Sequence, residues 1–286
     1  MVKIMTDSTS DLSEELMQRF AIGLIPLHIL LGEEEYRDRT EITPAEIFAW
    51  SDAHKTTPKT SAVSMEDVLD VFRPVLDAGD EIVVFTISED MSTTVNVMRM
   101  AAEELGAADR VTVIDSRNLS TGIGLLVCEA AEMAQEGKSR EEIEKEILRL
   151  IPKVRASFVI DTLEYLYRGG RCSGVAALAG SVLKLHPKIV VADGKMLVEK
   201  KYRGKIGKVI MDYATDMEEA YRQARKRRVF VTHTLTGAND AAPVVEYLRS
   251  LQIFDEICET KAGGVVSSHC GPGTLGVLFI EEEVRD

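Results

Sequence analysis

The sequence predicts an α/β protein with an N-terminal domain built on a parallel sheet and a smaller, mixed α/β C-terminal domain. In the first half, short apolar runs alternate with amphipathic stretches, as in parallel sheets covered by helices. In the second half, Asp193-Gly194 between two β-rich runs is typical of a hairpin. The 286 residues, 45% of them hydrophobic, can bury one large core or two ordinary ones.

Apolar periodicity predicts the order of elements in the first half. Its strands are Val2–Met5, Leu24–Leu30, Ile82–Thr86 and Val111–Ile114. Its helices are Leu12–Phe20, Glu66–Leu76, Thr94–Glu104 and Gly122–Gln135. Ser139 and Glu142 have the form of a capping box that opens one more helix, which stops at Pro152. We therefore place a domain boundary there, between residues 1–152 and 153–286.

The second half is predicted to be smaller and mixed. Its strands are Ile189–Ala192 and Met196–Lys200 around the hairpin turn, then Val229–Thr232, Phe254–Thr260 and Val277–Glu281. A long helix is predicted with Ile206, Ile210, Tyr213, Met217 and Tyr221 on one face, and a second over Ala241–Leu251. The basic run Arg222–Arg228 is predicted to end a helix, where cations favour the negative end of the helix dipole.

Charge and composition exclude several classes of function. A net charge of -13 argues against a nucleic-acid partner, because phosphate neutralisation needs a dense basic face. The N-terminus lacks a basic stretch followed by an apolar run, and no segment approaches the roughly 18 uninterrupted apolar residues of a membrane span. The chain is therefore expected to be cytoplasmic, with at most transient membrane contact.

Motifs for metals, disulfides and nucleotides are not found in the sequence. The four cysteines have no C-x-x-C spacing and the five histidines never pair at ligand spacing, so neither a disulfide framework nor a metal site is expected. There is no P-loop motif and no G-x-S-x-G elbow. Gly271–Gly276 fits G-x-G-x-x-G as a string, but it leads into a strand-like run and leaves too little chain for a βαβ unit.

Hydroxyl side chains are dense in the loops that follow the predicted strands of the first domain. They are Thr6, Ser8, Thr9, Thr60, Ser61, Ser64, Ser88, Ser92, Thr93 and Thr94. Unpaired backbone N–H groups at helix starts, together with neighbouring hydroxyls, suit an anion of modest charge. Each Ser or Thr could instead cap only its own helix. The convergence of four such loops on one sheet edge favours a ligand site.

Two further segments supply candidate donors for an anion. His269 lies in a turn-rich stretch, where an imidazole can donate to a carboxylate and can titrate near neutral pH. Arg168 and Arg171 surround the flexible Gly169-Gly170 pair and could clamp carboxylate or phosphoryl oxygens. The alternatives are a purely structural histidine and an ordinary surface loop.

At these same residues the chain resembles the DegV family of bacterial fatty-acid-binding proteins, essentially from end to end. Thr6–Ser8 resembles the family's opening strand and turn, and Thr60–Ser64 resembles its T-S-x-P-S loop. Ile87–Thr94 resembles its S-S-x-L-S-G-T loop, and Leu163–Arg171 its L-x-x-L-x-x-G-G-R segment. His269–Gly273 resembles its H-x-G-P-G turn. The chain departs from the pattern at Val63, in place of Pro, and at Thr93, in place of Gly. Glu89 and Asp90 add negative charge beside the expected site.

The resemblance implies a long-chain fatty acid in a tunnel between the domains, with no other cofactor and no catalytic residues. It implies that hydroxyls of Thr60 and Ser92 hold the carboxylate, with His269 in the same hydrogen-bond network. The other candidate ligand-binding residues are Ser8, Ser61, Thr93, Thr94, Arg168 and Arg171. Candidate tunnel residues are Met91, Val97, Met98, Leu178, Leu183 and Leu185.

The resemblance also implies a partner, the catalytic subunit of a two-part fatty-acid kinase. That ATP-dependent subunit would phosphorylate the carboxylate while this chain keeps the acyl chain buried, with Arg168 or Arg171 facing the acyl phosphate or the kinase. An alternative is a hydrolase or acyltransferase acting on a lipid ester, with Ser92 or Ser8, His269 and Asp7 as a nucleophile set. A third is a regulatory protein without a ligand.

Overall fold

The computed structural model describes residues 1–173, 185–235 and 241–282. The strands are β1 (Val2–Asp7), β2 (Gly23–Ile25), β3 (His28–Leu31), β4 (Glu34–Arg37), β5 (Lys59–Ser61), β6 (Glu81–Thr86), β7 (Val111–Asp115), β8 (Val154–Val159), β9 (Cys172–Ser173), β10 (Leu185–Ala192), β11 (Lys195–Arg203), β12 (Ala224–His233), β13 (Glu256–Lys261) and β14 (Leu275–Glu281). The helices are α1 (Glu14–Arg19), α2 (Pro44–His54), α3 (Met65–Asp77), α4 (Thr94–Glu104), α5 (Thr121–Gln135), α6 (Arg140–Leu150), α7 (Glu164–Gly169), α8 (Ile206–Asp216), α9 (Glu218–Tyr221), α10 (Ala242–Leu251) and α11 (Gly264–Cys270).

The first sheet is parallel, as predicted. Its order is β2-β1-β6-β7, and every pairing in it is parallel. Successive residues of β6 face opposite layers, because side chains alternate along a strand. Ile82 and Val84 belong to the core that holds α3 and α4. Val83 and Phe85 belong to the core that holds α1, α5 and α6. This burial on both faces explains why the strand reads as an unbroken apolar run.

The prediction of one strand over Leu24–Leu30 is wrong. The run forms two strands in different sheets, since β2 pairs with β1 whereas β3 pairs antiparallel with β4 and β5. Pro26 separates them, and a proline has no amide hydrogen for a ladder and a fixed φ. Thr60 and Ser61 therefore lie on the small antiparallel sheet, not in a loop at the edge of the parallel one.

The second sheet is mixed, with the order β13-β12-β14-β8-β10-β11-β9. Its predicted hairpin is confirmed: β10 and β11 pair antiparallel, and the turn residues Asp193 and Gly194 have φ of 49° and 80°. Strand β8 was missed from the sequence, although it lies between β14 and β10. Helices α8 and α10 cover one face and α5 the other.

The sheets divide near the predicted domain boundary. All strands of the parallel and small antiparallel sheets end by Asp115, and all strands of the mixed sheet begin at Val154 or later. Helix α5 contacts β1 on one side and β14 on the other, and α11 contacts α2 and β3. Both helices thus join the two parts of the chain. The boundary at Pro152 stays a prediction.

Two predicted helical features in the second half are wrong. The long helix after the hairpin is two helices, α8 and α9, that meet at Met217. The basic run does not end a helix, because α9 ends at Tyr221 and β12 begins at Ala224. Arg228 lies buried within that strand, 3.1 Å from Glu132 of α5 and 2.7 Å from Glu256 of β13. These carboxylates let a basic residue enter the sheet.

Side-chain caps begin several of the helices. Ser139 and Glu142 form the expected capping box at the start of α6. Ser13 and Ser64 accept hydrogen bonds from the first turns of α1 and α3. Across the described ranges, every helix is too short or too polar to cross a bilayer.

Candidate ligand-binding site

A cavity of about 500 Å³ lies between the end of the parallel sheet and the segments that hold Arg171 and α11. This volume is within the roughly 300–1,000 Å³ usual for small-molecule sites. Its apolar wall includes Leu27, Ile87, Met91, Leu119, Met196 and Val266. A larger groove of about 840 Å³, between α6, β8 and the β10–β11 hairpin, contains none of the predicted site residues.

Six of the nine predicted ligand-binding residues line the cavity. They are Thr60, Ser61, Ser92, Thr93, Arg171 and His269. The remaining three are elsewhere. Ser8 is fully buried and accepts a hydrogen bond from the amide of Leu27. Thr94 is buried behind Ser92. Arg168 pairs with Glu164 at 2.9 Å on the outer surface of α7.

Thr60 and His269 form the polar centre of the cavity. Thr60 lies on β5, where it pairs with Ile29 of β3. His269 lies in the last turn of α11, so the prediction that it sits in a turn is wrong. The turn follows the helix, at Gly271 and Gly273, which have φ of 75° and 78°. The Oγ1 atom of Thr60 is 2.8 Å from Nε2 of His269.

The His269 imidazole is neutral at neutral pH. Its side chain is partly exposed to the cavity, but protein surrounds the ring. Burial and the positive charge of Arg171 lower the pKa of His269 from 6.5 to about 4. The expected titration near neutral pH is therefore wrong. His269 acts in the cavity as a neutral hydrogen-bonding group.

Ser92 lies in the loop between β6 and α4. The Oδ2 atom of Asp7 fixes the start of this loop by accepting a hydrogen bond from the amide of Ile87 at 2.7 Å. The Oγ atom of Ser92 accepts from the amide of Thr94 at 3.3 Å and lies 2.9 Å from its hydroxyl. Ser92 thus makes a local turn at the start of α4 while facing the cavity. The capping and ligand-site interpretations are compatible here.

Charged groups stand at the mouth of the cavity. Arg171 donates to the carbonyl of Gly169 at 2.8 Å, which holds its guanidinium beside the opening. Asp90 lies 3.5 Å from Lys195 and 3.9 Å from Arg117. These cations compensate the Asp90 carboxylate, which the sequence placed beside an anion site. The exposed side chain of Glu89 completes the rim.

Two aspartates that hold α11 were missed from the sequence. Asp11 and Asp38 are buried and accept hydrogen bonds, both at 2.7 Å, from the amides of Gly263 and Gly264. Burial raises the pKa of Asp11 to about 7, although a hydrogen bond from Ser120 opposes this. The Gly263-Gly264 pair is the sequence signal for this close approach of an aspartate to the backbone. A Cβ at Gly264 would lie 2.8 Å from Oδ1 of Asp38.

The tunnel candidates separate into three groups. Met91 lines the cavity. Val97 and Met98 pack instead into the core beneath the parallel sheet, and Leu185 begins β10. Leu178 and Leu183 lie outside the described residues.

The residues of the hydrolase alternative are not joined by hydrogen bonds within the described part of the chain. His269 bonds to Thr60, Ser92 bonds to Thr94, and Asp7 bonds to Thr9 and Ile87. A nucleophile set requires the base within hydrogen-bond reach of the hydroxyl. The observed hydrogen bonds of Ser92, His269 and Asp7 therefore do not favour the hydrolase alternative.

The fold and the cavity define a class: an α/β protein of two sheet-based parts whose cavity combines hydroxyl and imidazole side chains with an apolar wall. The chain belongs to the DegV family. The model of this family, whose description reads "Uncharacterised protein, DegV family", matches residues 1–282. The resemblance found in the sequence is thus confirmed.

Individual relatives agree over nearly the whole chain. A DegV domain-containing protein of Deinococcus radiodurans is 33% identical over 97% of this chain and 98% of its own length. A DegV family protein from Thermus thermophilus, described for its fatty acid binding, is 33% identical with a TM-score of 0.88, covering 98% and 99% of the two chains. A stearic-acid-binding protein from Eubacterium ventriosum is 28% identical with a TM-score of 0.86, covering 99% of each.

Proposed function

We propose that this protein binds a long-chain fatty acid in the 500 Å³ cavity, with the carboxylate at Thr60 and Ser92. The observation that carries the proposal is one cavity that joins a Thr60–His269 hydrogen bond to an apolar wall. The relatives from Thermus thermophilus and Eubacterium ventriosum, which bind fatty acid and stearic acid, support it.

The two ends of such a ligand have different roles. Burying an alkyl chain contributes about 0.8 kcal/mol per methylene, so roughly sixteen carbons supply on the order of 10 kcal/mol before ordering costs. Met91, Leu119 and Met196 provide apolar contact for this part. A hydrogen bond to a charged head group adds about 1.5–3 kcal/mol. The tail therefore dominates affinity, and the head-group residues set orientation and the preference for an acid.

The charge around the head group favours one carboxylate. Arg171 stands at the mouth as a cation, and the hydroxyl side chains of Thr60, Ser61, Ser92 and Thr93 line the cavity. Backbone N–H groups near the start of α4 add positive potential. The neutral His269 neither repels nor neutralises the anion.

The experiment is a comparison of matched ligands on delipidated protein. Palmitate, its methyl ester and hexadecanol present the same alkyl chain with different heads. We expect palmitate to bind at least tenfold more tightly than the other two, and we expect Thr60→Val to abolish most of this preference. Thr215→Val, at an exposed position of α8, should leave it unchanged. Equal affinity for the three heads in the wild type would contradict the proposal.

We further propose that the bound carboxylate is presented to a separate ATP-dependent fatty-acid kinase subunit. Arg171 and Glu89 at the open mouth offer charged groups that a partner could contact. A suitable test mixes the loaded protein, ATP and a kinase subunit from a bacterium that has one, and measures acyl phosphate. Arg171→Ala should reduce turnover more than it reduces fatty-acid affinity. Loss of affinity alone would restrict Arg171 to ligand binding.

A further inference from the structure

The hydrogen bond between Thr60 and His269 has two possible directions, and they have opposite consequences for a ligand. The Thr60 hydroxyl has one proton, and a neutral imidazole has a proton on only one nitrogen. If Nε2 carries the proton, it donates to Oγ1, and the hydroxyl proton of Thr60 is free to donate to a bound molecule. If Nδ1 carries it, the hydroxyl must donate to Nε2 and only lone pairs of Oγ1 face the cavity.

The opposite edge of the imidazole decides between these forms. Nδ1 of His269 is buried and has no hydrogen-bond partner within the described part of the chain. The backbone of Gly169, the last residue of α7, packs directly on this edge. A methyl group at Gly169 would overlap Nδ1 and would lie 3.3 Å from Cε1. A proton on Nδ1 would point at this backbone without an acceptor.

A buried donor without an acceptor is the more costly arrangement. Buried N–H groups without an acceptor are rarer in proteins than buried acceptors without a donor. Leaving an N–H group without an acceptor costs enough to shift the equilibrium between the two tautomers by about tenfold or more. An unprotonated Nδ1 can also accept a weak contact from the Cα–H of Gly169. The Nε2–H form therefore suits both edges of the ring at once.

We propose that Gly169 and His269 are positioning residues: Gly169 packs on the Nδ1 edge and holds the imidazole as the Nε2–H tautomer, which turns the Thr60 hydroxyl into a donor aimed at the ligand. His269 thus acts through Thr60 instead of touching the head group. This inference rests on the proposed function, and it specifies the ligand chemistry: the head group must be an acceptor, as a carboxylate is.

The tautomer can be measured on the ligand-free protein. Long-range ¹H–¹⁵N correlation spectra of ¹⁵N-histidine-labelled protein distinguish protonated from unprotonated ring nitrogens, and His269→Gln identifies the His269 signals by their loss. We expect a protonated Nε2 and an unprotonated Nδ1 between pH 6 and 8. A protonated Nδ1, or an imidazolium in that range, would overturn the proposal. This readout does not depend on fatty-acid binding, so it separates the tautomer from the proposed function.

A double-mutant cycle tests whether His269 acts through Thr60. Thr60→Val should weaken palmitate binding about ten- to hundredfold, as expected for a lost hydrogen bond to a charged group. His269→Ala should weaken it in the wild type but by less than about twofold in the Thr60→Val background. Equal losses in both backgrounds would mean that His269 contacts the head group directly and would overturn the proposal. If wild-type protein binds no fatty acid, the proposed function fails instead.

Gly169→Ala tests the positioning role itself. The added methyl should displace the ring, shift the tautomer signals and weaken palmitate binding at least tenfold. Gly207→Ala is a matched control, because a Cβ there meets nothing within 4 Å and neither glycine has a positive φ. Unchanged His269 signals in Gly169→Ala would show that Gly169 does not set the tautomer.

Discussion

Oγ1 of Thr60 lies 2.8 Å from Nε2 of His269, although 209 positions separate the two residues in the sequence. Thr60 is on a strand of the small antiparallel sheet, and His269 is on a helix between two strands of the mixed sheet. The candidate site therefore exists only when these parts of the chain are packed together. Changes that loosen this packing should affect ligand binding as well as stability.

The Ser92 hydroxyl is expected to contribute to head-group binding. Ser92→Ala should weaken palmitate binding about ten- to hundredfold, because it removes a hydrogen bond to a charged group. Isothermal titration calorimetry measures this effect. Ser250→Ala, which removes an exposed hydroxyl bonded to the carbonyl of Tyr247, is the control. Wild-type affinity in Ser92→Ala would restrict Ser92 to its local turn at the start of α4.

His269 is expected to make the ligand-free protein less stable as the pH falls. Its pKa is lowered to about 4 in the folded state and is 6.5 when unperturbed, so the unfolded chain binds more protons between these values. Stability due to His269 is thus present above pH 6.5 and is lost on acidification toward pH 4, by roughly 3 kcal/mol in total.

Urea unfolding of wild type and His269→Gln between pH 4 and 7.5 measures this term. The difference between the two free energies of unfolding removes the contributions of other titrating groups, such as Asp7 and Asp11. It should favour the wild type increasingly as the pH rises. A difference that does not change with pH would show that His269 is not buried in its neutral form.

Asp38 is expected to hold the start of α11. Asp38→Ala removes the acceptor of the Gly264 amide and leaves a buried N–H group unsatisfied, at a cost of about 1–3 kcal/mol. Asp38→Asn keeps an oxygen for that amide and should cost less. Denaturant unfolding and hydrogen exchange of the Gly264 amide measure the two effects. Equal costs would mean that the charge of Asp38, and not this hydrogen bond, supports the helix.

The β10–β11 hairpin is expected to limit ligand release. Ser88 donates to the carbonyl of Gly194 at 2.8 Å, and Met196 of the same hairpin lines the cavity. A Cβ at Gly194 would lie 2.7 Å from Oγ of Ser88. Gly194→Ala should therefore displace the hairpin, raise the rate of fatty-acid dissociation and lower the free energy of unfolding by about 1–3 kcal/mol beyond backbone strain.

Gly79→Ala is a close control for this substitution. Gly79 has a φ of 81°, against 80° for Gly194, but a Cβ at Gly79 meets nothing within 4 Å. Both substitutions introduce the same left-handed strain, and only one introduces the clash. Stopped-flow displacement of a fluorescent fatty acid should show faster release only in Gly194→Ala. Identical rates in the two variants would exclude the hairpin as the barrier to release.

The fold was largely predictable because its strands and helices have clear apolar periods. The parallel strands β6 and β7 and the hairpin at Asp193-Gly194 were found from local patterns. The errors arose where long-range contacts override such patterns. Arg228 enters a strand only because Glu132 and Glu256 face it, and no local signal reports those partners. The division of the run Leu24–Leu30 does have a local signal, Pro26, because a proline cannot donate to a strand ladder.

Part of the candidate site was also predictable from local patterns in the sequence. The pattern of hydroxyl-rich loops after buried strands points to Ser92 and Thr93, and both line the cavity. Ser8 has the same type of sequence context, yet its hydroxyl oxygen accepts a hydrogen bond from the amide of Leu27 and does not line the cavity. The contacts of Gly169 with His269, and of Asp11 with Gly263, join segments that are far apart in the chain. Such contacts follow from tertiary packing and have no periodicity in the sequence.

A crystal structure of the protein with palmitate tests the central claim most directly. We expect the carboxylate within hydrogen-bond distance of Oγ1 of Thr60 and of the Ser92 loop, with the alkyl chain against Met91 and Leu119. A cavity that stays empty at saturating palmitate, or a carboxylate bound away from Thr60, would contradict the account.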